Sequence, residues 1–111
     1  MTPEKRVQNA ILKYLNELSK TEPLFYERRQ AGGFSYKMGI PDIYFVYNGQ
    51  HVEVEVKAPG GHLSPMQEKF KEMCEKKNIK WICAESVEDV KKLVEVFKSP
   101  GQFDERSFQQ N

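Results

Sequence analysis

Residues 40–57, Ile40-Pro41-Asp42-Ile43-Tyr44-Phe45-Val46-Tyr47-Asn48-Gly49-Gln50-His51-Val52-Glu53-Val54-Glu55-Val56-Lys57, decide the fold. Two β-rich runs, Ile40 to Tyr47 and Gln50 to Lys57, flank Asn48-Gly49, a pair that favours a two-residue hairpin turn because both positions accept positive φ. In such a hairpin Tyr47 faces Gln50. Counting outward then pairs Phe45 with Val52, Tyr44 with Glu53 and, provided no bulge interrupts the ladder, Asp42 with Glu55. Side chains alternate along a strand, so Val52, Val54 and Val56 share one face, suited to a core, while Glu53, Glu55 and Lys57 share the other.

Outward from the hairpin, periodicity supplies the remaining elements. Thr2 is suited to cap a helix that opens at Pro3 and carries Val7, Ala10, Ile11, Tyr14, Leu15 and Leu18 at helical spacing. Leu24 to Arg29 reads as a short strand, and Gln30 to Gly39 as a glycine-bearing loop. After Pro59-Gly60-Gly61, Ser64-Pro65-Met66-Gln67 has the form of a capping box for a helix reaching about Lys77, with Met66, Phe70, Met73 and Cys74 inward. Ile79 to Ala84 reads as a buried strand. Ser86 with Asp89 opens a last helix bearing Val90, Leu93, Val94 and Phe97. The expected fold class is therefore α/β: one domain over residues 1–98 in the order α-β-β-β-α-β-α, a small mixed sheet flanked by helices, with a polar C-terminal tail over 99–111.

A chain of 111 residues suits one domain and one site. No apolar run approaches the ~18 residues that span a bilayer, and no charged-then-apolar leader is read at its start, so the expectation is a soluble intracellular protein without a membrane partner, cytoplasmic if from a prokaryote or its phage. Cys74 and Cys83 lack the paired spacing with histidine that marks zinc, and are expected as buried thiols rather than a disulfide. The net charge of +1 is low for a nucleic-acid binder. Such a protein must segregate its charges, acids in one place and Arg28, Arg29, Lys37 and the lysines of the later helix elsewhere.

Asp42 and Glu55, opposed across the hairpin, are a repulsive pair unless a cation lies between them. An E-V-E-V-K strand face is on its own most often simply solvated. Asp42 argues otherwise, because it opens an apolar strand where an unpaired carboxylate is costly. Glu4 lies on the stripe 4, 7, 11, 15, 18, so it points the same way as the apolar face of helix one; alone it would read as a first-turn acid favoured by the helix dipole. Clustered carboxylates without histidine or cysteine are oxygen ligands for a hard cation, Mg2+ with Mn2+ able to substitute. Such a cation polarises a phosphodiester and orients water. Lys57, two residues past Glu55 on the same face, is placed to bind the attacked phosphate or to assist the water.

Gly39-Ile40-Pro41-Asp42, then Glu55-Val56-Lys57, then Gly61-His62-Leu63-Ser64-Pro65-Met66-Gln67 resemble the PD-(D/E)XK nuclease superfamily, and within it the VRR-NUC branch, over about Glu4 to Phe97. The resemblance implies that Asp42, Glu55, the backbone carbonyl of Val56 and the helix-one acid Glu4 serve the metal, and that Lys57 serves the attacking water. Gln67 matches the family glutamine, though its reciprocal cap on Ser64 could be its whole purpose. Glu53 has no firm counterpart. DNA phosphates would be held by Arg28, Arg29, Lys37 and Lys69 or Lys71, with Tyr36 and His62 flanking the site. The resemblance further implies a structure-selective endonuclease acting on branched DNA such as four-way junctions, as a homodimer. The rival readings are a non-catalytic DNA-binding module, whose mark would be loss of an acid or the lysine, and a protein-interaction adaptor using the acidic strand face.

Overall fold

A computed structural model of the chain describes residues 1–29 and 38–99. The elements are α1 (Pro3–Ser19), β1 (Leu24–Arg28), β2 (Ile43–Tyr47), β3 (Gln50–Val56), α2 (Pro65–Lys76), β4 (Lys80–Ala84) and α3 (Val87–Lys98). The four strands form one sheet in the order β1-β2-β3-β4. The first three are antiparallel and β4 runs parallel to β3. This is the expected mixed sheet in the expected order. Among the described residues no helix is long and apolar enough to cross a membrane. The tail from residue 100 onward, and the candidate DNA contacts Tyr36 and Lys37, lie outside the described residues.

The hairpin forms as its turn residues dictate. Asn48 and Gly49 take φ of 48° and 85°, the pair of left-handed conformations that matches strand twist. The register follows: Tyr47 opposite Gln50, Phe45 opposite Val52, Tyr44 opposite Glu53. Ile43, Phe45, Val52 and Val54 are fully buried, packed with Ile11 and Leu15 of α1 and Val90 and Val94 of α3. Each such aliphatic side chain contributes about 1.5–3 kcal/mol of burial. Helices α1 and α3 therefore cover the valine face, which leaves α2 to cross the opposite, glutamate-bearing face.

Three local expectations are corrected. β2 begins at Ile43 rather than Ile40, because Pro41 has no N–H for the ladder and Gly39 adopts a φ of 72° that no strand accepts. A Cβ on Gly39 would collide with the Met66 carbonyl, so this glycine lets the Gly39–Asp42 segment lie against α2. β4 is an edge strand in which only Ala84 is buried, and Cys83 is exposed rather than a core thiol; Cys74 is buried, and both cysteines are free. The capping box at Ser64 forms in full, but Ser86 makes no side-chain cap. Asp89 instead accepts the Glu85 backbone N–H at 2.9 Å.

Candidate active site

The glutamate face of β3 carries two buried carboxylates, Glu53 and Glu55, which retain only 4% and 7% of their exposure. Their partners differ. Arg29 donates to both oxygens of Glu53, at 2.6 and 2.8 Å, and also to the Pro41 carbonyl at 2.7 Å. His51 approaches Glu53 Oε2 at 2.5 Å from the same strand face. Burial pushes the Glu53 carboxyl up, but the hydrogen bonds from Arg29 and His51 outweigh it and hold its pKa below the ordinary range. Its own hydrogen bond to Glu53 raises the Arg29 pKa against its burial. Arg29, expected to grip DNA phosphates, is thus committed to a half-buried ion pair that ties the end of β1 to β3 across β2.

Among the described residues Glu55 has no cation of this kind. Gln67 Nε2 reaches its Oε2 at 3.3 Å, and Oε1 is buried without a hydrogen-bond partner among the described residues. Burial pushes the Glu55 pKa up from 4.5 to about 7; Lys57 pulls it down, while the charges of Asp42 and Glu4 raise it further. The hairpin ladder ends at Ile43 opposite Val54. Asp42 is the next residue out, on the Glu55 side of the sheet, and its backbone carbonyl accepts the Arg29 N–H at 2.6 Å. Among the described residues its Oδ2 receives a single, long 3.5 Å bond, from Gln8 Nε2.

The structure therefore brings Asp42, Glu55, Lys57 and Gln67 to one end of the sheet. Glu4 stands near enough for its charge to act on Glu55, although it is exposed rather than packed inward. Gln67 serves both readings open to it: its Oε1 accepts the Ser64 N–H at 2.9 Å while its Nε2 holds Glu55. His62 and Lys69 are exposed around this face, and Lys71 lies over the Trp81 ring at 5.4 Å. Arg28, expected as a DNA contact, is exposed but pairs with Ile43, which puts it on the valine-bearing face of the sheet and away from Glu55. Sequence reasoning missed Gln8, which is buried behind Asp42. Its signal was its position four residues after Glu4 and three before Ile11, on the inward stripe of α1. It also missed the Arg29–Glu53–His51 cluster, which joins two strands with no local motif.

Among the described residues no three histidine, cysteine, aspartate or glutamate side chains converge closely enough to hold an ion by themselves. Two carboxylates, a backbone carbonyl and water are nevertheless the set that magnesium accepts. The orphaned Glu55 Oε1 and the weakly satisfied Asp42 are the atoms such an ion would engage. The donor set fits.

A mixed sheet whose central hairpin presents Asp42 and Glu-x-Lys at one end, crossed there by a helix bearing Gln67, defines a nuclease-type domain. Residues 4–88 match the VRR-NUC domain, and the chain belongs to that family. A solved VRR-NUC domain is similar in structure, with a TM-score of 0.68 and 26% sequence identity over 86% of this chain and 97% of the other. No curated protein matches the chain.

Proposed function

We propose that this chain is a metal-dependent endodeoxyribonuclease that hydrolyses phosphodiester bonds in branched DNA. The observation that carries the reading is Glu55 Oε1, a buried carboxylate oxygen without a partner among the described residues, close enough to Asp42 and Lys57 for both charges to act on it. A fold retains such an atom at a cost of a few kcal/mol, which a bound cation would offset.

Asp42, Glu55 and the Val56 carbonyl would hold Mg2+, with Mn2+ as a substitute, and the ion would supply Lewis-acid polarisation of the phosphate and acidification of water. Glu55 presents Oε1 inward because Gln67, itself fixed by the Ser64 cap, holds Oε2. Asp42 is aimed by Gln8 through its side chain and by Arg29 through its backbone. Lys57 offers its ammonium to the attacked phosphate or the attacking water from the strand face it shares with Glu55. Lys69 and Lys71 would add phosphate contacts that position the strand without reading its sequence. One small domain offers a single site, and a two-fold dimer would give a second and a surface wide enough to span two arms of a junction.

The test is cleavage of linear, flapped and four-way DNA with and without Mg2+, beside light scattering of the purified protein. Metal-dependent cutting that favours the branched substrates, by a dimer, supports the whole reading. A monomer that cuts linear and branched DNA equally removes the branched-DNA and dimer parts. Absence of cutting in Mg2+ and Mn2+ removes the nuclease.

A further inference from the structure

Beside Glu53, on the same sheet face as the candidate active site, lies a cleft of about 350 Å³ lined by His51, Glu53, Phe70, Asn78, Ile79 and Lys80. None of the roles assigned above uses it. Its size falls within the ordinary range of ligand sites, and its chemistry is mixed. Phe70 supplies an aromatic wall. The His51 imidazole is held in place, stacked on Tyr44 at 5.0 Å with 12° between the planes and tethered to Glu53. Glu53 Oε1 accepts one hydrogen bond from Arg29 and so keeps a lone pair for another donor. Asn78 and Lys80 are exposed, and neither side chain takes part in the side-chain hydrogen bonds or ion pairs among the described residues. Lys76, Lys77 and Lys80 stand around the same turn, Lys76-Lys77-Asn78-Ile79-Lys80, all exposed.

We infer that this cleft takes the base of an unpaired nucleotide in a DNA strand whose neighbouring phosphate lies at Asp42 and Glu55, the lysine turn following its backbone. The inference rests on the nuclease reading for the position of that phosphate. Glu53 and Glu55 are two residues apart on one strand face, roughly 6.6 Å, so the cleft adjoins the cutting site. A ring that stacks, a carboxamide and carboxylate that hydrogen-bond a base edge, and ammonium groups beside the backbone are the components of single-strand recognition. An acidic peptide would meet Glu53 unfavourably, and an apolar ligand would leave Asn78 and Lys80 idle.

Asn78 permits a clean test. It sits at φ 59°, a conformation glycine adopts at no cost, so Asn78→Gly removes the carboxamide while keeping the turn. Wild-type protein in EDTA is titrated against short single strands carrying 2-aminopurine, and against the same strands with one abasic residue. The expected result is a saturable change in 2-aminopurine emission, roughly tenfold weaker binding of the abasic strand, and loss of that difference in Asn78→Gly with Lys80→Ala. Equal affinity for intact and abasic strands, or an unaltered preference in the double variant, overturns the inference. The readout needs no catalysis, so the two readings fail separately. Base-dependent binding without cleavage in any metal removes the nuclease and leaves the cleft, whereas cleavage without base dependence does the reverse.

Discussion

Glu53 and Glu55 stand two residues apart on one face of one strand, equally buried, yet their surroundings treat them in opposite ways. Glu53 is enclosed by Arg29 and His51 and is stabilised as an anion. Glu55 is buried against its charge, with Asp42 and Glu4 adding to the penalty and one oxygen without a partner among the described residues. The same residue type in the same strand thus does two jobs. Glu53 fastens β1 to β3 and, through Arg29 and the Pro41 carbonyl, fixes the peptide that precedes Asp42. On the proposed function, Glu55 would keep its charge for a bound cation, since no cation among the described residues pairs with it as Arg29 does with Glu53.

If this division is right, substitutions at the two positions have unlike consequences. The largest effect is expected at Glu55: Glu55→Gln should reduce DNA cleavage by at least a thousandfold in single-turnover assays, with the metal-free protein as stable as wild type or more so. A second contrast concerns folding. Glu53→Gln or Arg29→Ala should each destabilise the protein by about 3 kcal/mol in urea unfolding, since removing one partner strands the other charge. Replacing both by apolar residues should be milder, and an Arg29→Ala protein of unchanged stability would dissolve the contrast.

A smaller effect should appear in the pH dependence of metal-free stability. A carboxyl with pKa 4.5 when unfolded and about 7 when folded binds more protons in the native state between those values. Stability should therefore fall as pH rises from 4.5 to 7, by no more than roughly 3 kcal/mol. Glu53 acts with the opposite sign: its lowered pKa gives stability that is present above 4.5 and lost as pH falls through the lowered value. Urea unfolding in EDTA should show a decline from pH 4.5 to 7 in wild type that is absent from Glu55→Gln. Matching curves for the two proteins would mean that Glu55 is not the group responsible.

The smallest effect is expected at Lys69. It is exposed beside the proposed path of the strand, and Lys69→Ala should weaken DNA binding only a few-fold, with a shallower salt dependence.

Much of this was legible in the sequence because it is local. Asn48-Gly49 set the hairpin register, strand alternation put Glu53 and Glu55 on the face opposite the valines, and Ser64 with Gln67 announced the start of α2. What escaped the sequence is contact between distant segments. Arg29 and Glu53 are 24 residues apart, and Arg29 alone looks like a surface cation suited to phosphate. Gln8 and Asp42 meet through the packing of α1 against the sheet, which a polar residue on a helical stripe only suggests. Cys83 was misjudged because an apolar run does not reveal whether its strand will be central or at an edge. Glu4 was placed on the correct side of α1 but not at its correct depth, since the first turn of the helix extends beyond the core.

The claim that Glu55 rather than Glu53 waits for a cation is tested most directly by thermal unfolding during titration with Mg2+ or Mn2+ at about pH 8, on wild type and on Glu55→Gln. The midpoint of wild type should rise saturably with metal, as linkage requires of a ligand that binds only the folded state. Glu55→Gln should start at or above the wild-type midpoint and not respond. A wild type indifferent to millimolar metal, or a Glu55→Gln protein stabilised as much as wild type, would contradict the account.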